Sequence, residues 1–389
     1  MRDSLMAQYA RRAYEDLLRN YWIGDNKTGH IIPTWTGIPV EEVPDGDLRG
    51  GLWERGSMII VMDNLYRATG DEDIRKRIVL EANRLKALFN VEELTAAGTH
   101  LHWACDDCGW HARLYLLFYQ YVKDPWYVDC AKLMIDNAVD RWMDNRMGGS
   151  MWYRNDKCFK SLYQIAVVLA CLDIYEITGE KRYFLIAMEC YYWMEMNLKW
   201  KAGIYWTDLH VSGLPGQVMP AMEEYNEDPK FVGDPGSLSF LGGNMAMGAI
   251  HARLYRISGL KVYRERLDEL CCGLLNIYVR DGCFINDRDA WTDTYCLGEW
   301  TREVAILPGL DPRLNKALVD TALSVAENAR TEDGHYSAVW RGPAEDPNHR
   351  WIRVGSVARQ IMTTSTSINW IVCALQLEGS QGAAGNTNT

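Results

Sequence analysis

The sequence predicts an all-α fold assembled from helical hairpins. Helix-period stripes run through most of the chain, a helix-ending phrase recurs, and strand patterns are scarce. The phrase appears as Leu65-Tyr66-Arg67-Ala68-Thr69-Gly70, Phe118-Tyr119-Gln120-Tyr121-Val122-Lys123, Ile174-Tyr175-Glu176-Ile177-Thr178-Gly179 and Leu254-Tyr255-Arg256-Ile257-Ser258-Gly259. In three copies a glycine stands where a left-handed residue stops a helix. In the fourth, Asp124-Pro125 supplies an N-cap and a first-turn proline for the next helix.

The elements follow in order. A first helical stripe runs through Leu5, Tyr9, Ala13 and Leu17. Trp110, Leu114, Leu117, Phe118 and Tyr121 form another, and Val128, Ala131, Ile135, Ala138 and Trp142 continue it past the turn. Leu162, Ile165, Ala166 and Leu169 repeat the pattern. Asp311-Pro312 opens a helix through Leu314, Leu318, Ala322 and Val325. The last runs through Ile368, Ile371, Val372 and Leu375. Six or so such hairpins can stay open as a solenoid or close into a toroid. No linker interrupts them, so residues 1–378 are expected to form one domain. The polar tail 379–389 is expected to be disordered.

Composition narrows the function. The chain has 389 residues, 48% of them hydrophobic, and a net charge of -11, which leaves no basic stripe for a phosphate backbone. Nucleic acid is therefore excluded as a partner. No apolar run is long enough to span a membrane. The 16 Trp and 21 Tyr outnumber the 7 Phe, which suits a surface that both stacks and hydrogen-bonds. The odd count of 11 Cys favours a reducing compartment. The N-terminus shows no signal peptide. A cytoplasmic location is expected if the start is native, and a secreted or periplasmic one if a leader has been removed.

The tryptophans cluster between hairpins, at Leu52-Trp53, His102-Trp103, Trp152-Tyr153, Tyr205-Trp206, Trp291 to Trp300, Tyr336 to Trp340, and Trp351. With short turns inside hairpins and long aromatic loops between them, the loops are expected at one mouth of the ring, forming a cup for a sugar chain. The plainer alternative is that these rings plug the ends of the helices.

The strongest chemical feature is Trp103-Ala104-Cys105-Asp106-Asp107-Cys108-Gly109-Trp110-His111. Acidic residues at a helix head commonly cap it and complement its dipole. Here two adjacent carboxylates also sit among aromatic and histidine side chains. Glycoside cleavage needs two carboxyl groups, about 5–5.5 Å apart in a retaining enzyme and farther apart in an inverting one. Side chains diverging from adjacent Cα atoms match the retaining spacing. Repulsion within the pair raises the pKa of whichever is less well hydrogen-bonded. Glu299 and Asp293 stand in reserve. Cys105-x-x-Cys108 lacks the second pair that zinc needs, and wall packing or a local disulfide accounts for it better.

At these residues the chain resembles glycoside hydrolase family 76, the α-1,6-mannanases and their fungal cell-wall relatives. The family's Asp-Asp before aromatics is matched by Asp106-Asp107-Cys108-Gly109-Trp110. Its Gly-rich stretch is matched by Met147-Gly148-Gly149-Ser150-Met151-Trp152-Tyr153. Lys160, Gly203 to Asp208, Gly298 to Arg302 and Trp340 to Pro343 follow in the family's order, so the likeness covers about residues 5 to 377. The resemblance implies an (α/α)6 toroid and a retaining α-glycosidase acting on α-mannosidic linkages, with no cofactor. It implies Asp106 as nucleophile and Asp107 as general acid/base. Trp103, Trp110, Trp152, Tyr153, Trp206 and Trp300 become candidate stacking surfaces; His111, Lys160, Asp208 and Arg302 become candidate hydroxyl binders. The chain departs from the pattern at His111, at Lys160-Ser161 and at Leu241-Gly242-Gly243-Asn244, positions expected to line the cup.

The expected substrate is an oligo- or polysaccharide and the expected state a monomer. The rivals are a transglycosylase, an (α/α)6 uronyl hydrolase or sugar epimerase, and a non-catalytic glycan-binding module. Eight His without an evident pair argue against the epimerase.

Overall fold

The computed structural model describes residues 4–32, 52–88, 104–145, 149–200, 203–211, 218–220, 240–285, 293–345 and 360–385. Trp103 and Trp351 lie outside the described residues, as do His102 and Trp291. Among the described residues the chain forms twelve α-helices. These are α1 (Leu5–Tyr21), α2 (Leu52–Thr69), α3 (Glu72–Leu88), α4 (Cys105–Val122), α5 (Trp126–Trp142), α6 (Ile165–Thr178), α7 (Lys181–Asn197), α8 (Leu241–Ser258), α9 (Lys261–Tyr278), α10 (Asp293–Glu303), α11 (Pro312–Asn328) and α12 (Ile361–Gly385).

The short turns work as the sequence predicts. Gly70, Gly179 and Gly259 end α2, α6 and α8 with φ of 69°, 75° and 70°, a left-handed conformation that costs glycine nothing. Lys123 takes the same conformation at the end of α4, with φ 60°. Helix α5 starts at Trp126, one residue later than expected, and the Asp124 carboxylate accepts the Trp126 N–H at 3.0 Å. Asp311 caps α11 and Pro312 is its first residue.

Each short turn joins a helix buried nearly all round to one buried on a single face. Helix α4 is buried from Cys105 to Phe118 apart from Asp107, and α6 from Ile165 to Ile174, whereas α5 and α7 alternate. The same contrast separates α2 from α3 and α8 from α9. A helix with no polar face needs neighbours on every side, so α4 buries far more than the single stripe the sequence suggests.

Contacts divide the chain into two units, residues 1–84 with 251–389, and residues 85–250. In the first, α12 is central and packs on α1, α2, α10 and α11. Its core includes a fully buried ion pair, Arg55–Glu81 at 2.5 Å. Helix α12 continues to Gly385, past the expected tail boundary at Gly379, and the Ser380 hydroxyl donates to the Leu377 carbonyl.

In the second unit α4 packs on α5 and α6, and α6 on α7. Arg113 of α4 and Asp173 of α6 form a buried ion pair. A small antiparallel sheet joins β3 (Phe159–Ser161), β4 (Asp208–Val211) and β5 (Val218–Pro220) in that order. Here β1 (Met143–Asp144) and β2 (Ser150–Met151) are the hairpin that precedes it. Strands this short carry too few residues to show a period of two.

Candidate active site

The site begins where α4 begins. Ala104 precedes the helix with extended backbone and offers no side chain to cap it. The first turn must therefore find its acceptors elsewhere. The Cys105 N–H donates to the Tyr153 carbonyl at 3.0 Å, and Ala104 bridges antiparallel to Arg154. The N–H groups of Asp106 and Asp107 donate to the Asp106 carboxylate, which becomes the cap.

Gly109 lets α4 reach α6. A Cβ at this position would lie 2.5 Å from the backbone of Ala166 and Val167. The glycine of the Asp-Asp-Cys-Gly-Trp segment is thus a contact point between two packed helices.

Asp106 is 6% exposed, and Asp107 is half-buried. Burial, then the charge of Asp107, push the Asp106 carboxyl well above the ordinary range; the two N–H groups and the Arg154 guanidinium pull it back. Asp106 Oδ1 is buried and accepts no hydrogen bond among the described residues. Such an atom in a folded protein needs a reason, and a reacting oxygen is one. The arrangement can hold one proton over two neighbouring carboxyl groups. His111 is buried one turn on, and its Nδ1 lies 2.5 Å from the Asp107 carbonyl, so Nδ1 carries the proton.

Tyr153 heads a ladder of rings. It lies 5.1 Å from Phe159 and 5.1 Å from Tyr163, and Tyr163 stacks on Phe240 at 5.0 Å. Trp206 is half-buried, and its indole Nε1 is enclosed with no partner among the described residues. Asp208 is 8% exposed on β4, in register with Ser161. Asn244 holds the loop before them. It accepts the Tyr205 N–H at 2.7 Å and donates to the Tyr205 and Phe240 carbonyls at 3.2 and 3.0 Å. The divergent Leu241-Gly242-Gly243-Asn244 stretch is thus a brace for the Tyr205–Asp208 segment.

Several expected binders are deeply buried or have partners within the protein. Lys160 is fully buried; its Nζ donates to the Asp144 and Ser150 carbonyls at 3.0 and 2.9 Å and lies over the Trp152 and Trp193 rings. Trp110 and Trp152 are 3% and 2% exposed, so both belong to the packed wall. Trp300 is fully buried, in helix α10 rather than in a loop. Arg302 faces Asp63 and Glu303 at 3.7 Å each, in an ion-pair cluster of the first unit that Arg67, Arg253 and Arg256 also join. Glu299 is buried in α10, which Asp293 opens. Trp300 and Arg302 thus belong to one unit, and Asp106 and Asp107 to the other.

Sequence reading missed Arg154, Tyr163 and Phe240, and it named Asn244 as a cup-lining position without its hydrogen bonds to Tyr205. Arg154 follows a noted aromatic pair, but only strand pairing across fifty residues brings it to the head of α4. The cysteines are all free thiols. Burial pushes Cys105 far up and Cys108 up to about 12, so neither is a ready thiolate. Among the described residues no helix is long and apolar enough to cross a membrane.

Comparison with known proteins adds the family. The sequence profile of glycosyl hydrolase family 76 matches residues 6–362. The α-1,6-mannanase GH76A of Salegentibacter sp. HEL1_6 superposes with a TM-score of 0.71 at 15% identity, over 96% of this chain and 99% of its own. An inactive variant of that mannanase, with two successive aspartates changed to asparagine, is solved in complex with α-1,6-mannotriose. The mannosidase Bt3792 of Bacteroides thetaiotaomicron matches at TM-score 0.65 and 14% identity, over 97% of this chain and 100% of its own. Dfg5 of Chaetomium thermophilum, in complex with glucosamine, matches at 0.67 and 15%, over 97% and 92%. No curated protein matches the chain. The likeness shows the fold, the all-α (α/α)6 toroid class.

Proposed function

The chain belongs to glycosyl hydrolase family 76 and is a glycoside hydrolase, and from that premise we propose that it is a retaining enzyme cleaving α-1,6-linked mannan. The observation that carries the reading is the Asp106 carboxyl, buried beside Asp107 with Oδ1 accepting no hydrogen bond among the described residues. A mannanase of the same fold loses activity in a variant changed at two successive aspartates, which supports the same pair here.

Asp106 attacks the anomeric carbon while Asp107 gives its proton to the leaving oxygen. Asp107 then takes a proton from water, the water attacks the same carbon, and the bond to Asp106 breaks. The ring ladder from Tyr153 and the half-buried Trp206 offer apolar faces for sugars, and Asp208 a hydroxyl acceptor.

One observation favours exchanged roles. Asp106 is the more buried carboxyl, so in the empty enzyme the shared proton is drawn to it. Azide separates the two readings. Under the first, Asp106→Ala with azide yields the β-mannosyl azide, and Asp107→Ala with azide yields the α-azide. The opposite products exchange the roles. For the substrate, α-1,6-mannooligosaccharides should be cleaved in preference to β-linked mannans and glucans, with the α-anomer as first product by NMR. A β-anomer first product would reject retention. Transfer to an added acceptor sugar in place of water would make the chain a transglycosylase.

A further inference from the structure

The Trp206–Asp208 segment stands apart from the Asp pair, and the strand order measures by how much. Ala104 bridges Arg154, Trp152 bridges Lys160, and Ser161 pairs with Asp208, so four antiparallel segments lie side by side from the head of α4 to β4. Three strand spacings amount to about 14 Å. A single sugar held by Asp106 and Asp107 does not reach that far, whereas a chain of several linked sugars does. All of these residues lie in the unit 85–250.

The same segment is one arm of a hairpin. Lys199 bridges Tyr205 antiparallel, the Trp200 N–H donates to the Ile204 carbonyl at 2.7 Å, and the Trp206 N–H donates to the Leu198 carbonyl at 2.9 Å. Gly203 donates its N–H to the Trp200 carbonyl at 2.9 Å, and its φ of 80° is the left-handed conformation that such a turn requires. Opposite residues of an antiparallel pair share a face, and the faces alternate along each arm. Lys199 and Tyr205 therefore share one face, and Leu198, Trp200, Ile204 and Trp206 share the other. Leu198 and Ile204 are fully buried, whereas Trp200 and Trp206 are half-buried. The two indoles are thus the part of that face which meets solvent, and as diagonal neighbours they lie within reach of one another. The Trp206 Nε1 is enclosed, so its donor edge is not what it opens outward. The hairpin is also set in advance. Asn244 holds both backbone groups of Tyr205, and the Glu195 carboxylate accepts the Tyr205 hydroxyl. Little ordering then remains to be done on binding.

We propose that Trp200 and Trp206 form a stacking surface for sugars several units away from the bond being cleaved, so that the enzyme favours long chains over short ones. The proposal rests on the reading of the chain as an α-1,6-mannanase, and adds to it Trp200 and the remoteness of the surface. Flat rings with an apolar face and little conformational freedom suit the apolar faces of sugars.

The test is calorimetric binding of α-1,6-mannotriose and α-1,6-mannohexaose, measured on the Asp106→Asn protein so that neither is consumed. Trp200→Ala, Trp200→Leu and Trp200→Phe are added to that background. Alanine should weaken the Kd of the hexasaccharide about fivefold more than that of the trisaccharide. Leucine keeps apolar bulk without a flat face and should behave like alanine, whereas phenylalanine should recover most of the loss. Equal effects on the two lengths, or no effect, in a folded alanine or leucine variant would overturn the proposal, as would a leucine variant as good as phenylalanine. Equal affinity for the two saccharides before Trp200 is changed would reject the remote surface alone. No binding of either one would reject the α-1,6-mannan reading and the proposal with it, and rapid consumption of both by Asp106→Asn would reject the reading of the Asp pair.

Discussion

Asn244 hydrogen-bonds both backbone groups of Tyr205, accepting its N–H at 2.7 Å and donating to its carbonyl at 3.2 Å. One side chain thereby replaces a missing strand partner and fixes the segment that carries Trp206 and Asp208. Asn244→Ala leaves buried backbone groups unpaired and should cost about 2–4 kcal/mol. If that segment binds substrate, KM should also rise in the folded Asn244→Ala enzyme. Chemical denaturation and steady-state kinetics measure the two effects. Unchanged KM in a folded Asn244→Ala protein would remove the segment from the site.

Lys160 offers the opposite case. Its ammonium ties together the Asp144 and Ser150 carbonyls, at 3.0 and 2.9 Å, on either side of the β1–β2 turn. Lys160→Met should destabilise the protein by about 2–4 kcal/mol while KM of the folded enzyme stays within about twofold. A raised KM with an unaltered melting temperature would return Lys160 to the substrate.

Gly109→Ala tests the α4–α6 contact. The added methyl would sit 2.5 Å from Ala166 and Val167 backbone atoms, which are not free to rotate away. Destabilisation of about 1–3 kcal/mol is expected. Because Asp106 and Asp107 lie within the same turn, kcat should fall at least about tenfold as the helix head shifts. Normal activity in the alanine variant would show that the helices separate without disturbing the pair.

The stability of Asp106→Asn should depend on pH. Burial raises the folded pKa of Asp106 above its unfolded value. Its contribution to stability is complete below the unfolded pKa, about 4, and is lost as pH rises through the folded one. Asparagine suffers no such loss, and Asp107 is relieved of a like-charged neighbour. The variant should therefore gain on the wild type as pH rises, by about 1–3 °C in Tm near neutrality. Melting curves from pH 4 to 8 measure this, and a gap that narrows with pH would contradict it. The same variant should lose turnover by orders of magnitude while keeping its helical circular dichroism.

Local rules made the fold legible. Gly70, Gly179, Gly259 and Asp311-Pro312 act through their immediate neighbours, so a single sequence reveals them. The Asp pair at a helix head was legible for the same reason. The carbonyls that hold Lys160 and the acids that face Arg302 were not legible, because a charged residue near aromatics looks the same whatever its partner. Trp300 was misread as a loop residue because its helix is short and flanked by polar residues. Arg154 and Asn244 act on groups about fifty and forty residues away, and no spacing rule reaches that far.

Ala104 leaves the capping of α4 to the Asp106 carboxylate, and this bears on the covalent stage of the proposed cycle. Once one carboxylate oxygen is esterified to the sugar, the two amides of the turn can still donate to the remaining carbonyl. They then draw electron density from the acyl group and make it a better leaving group when water arrives. The hydrogen bonds that complete a helix would in this way also hasten the release of its own adduct.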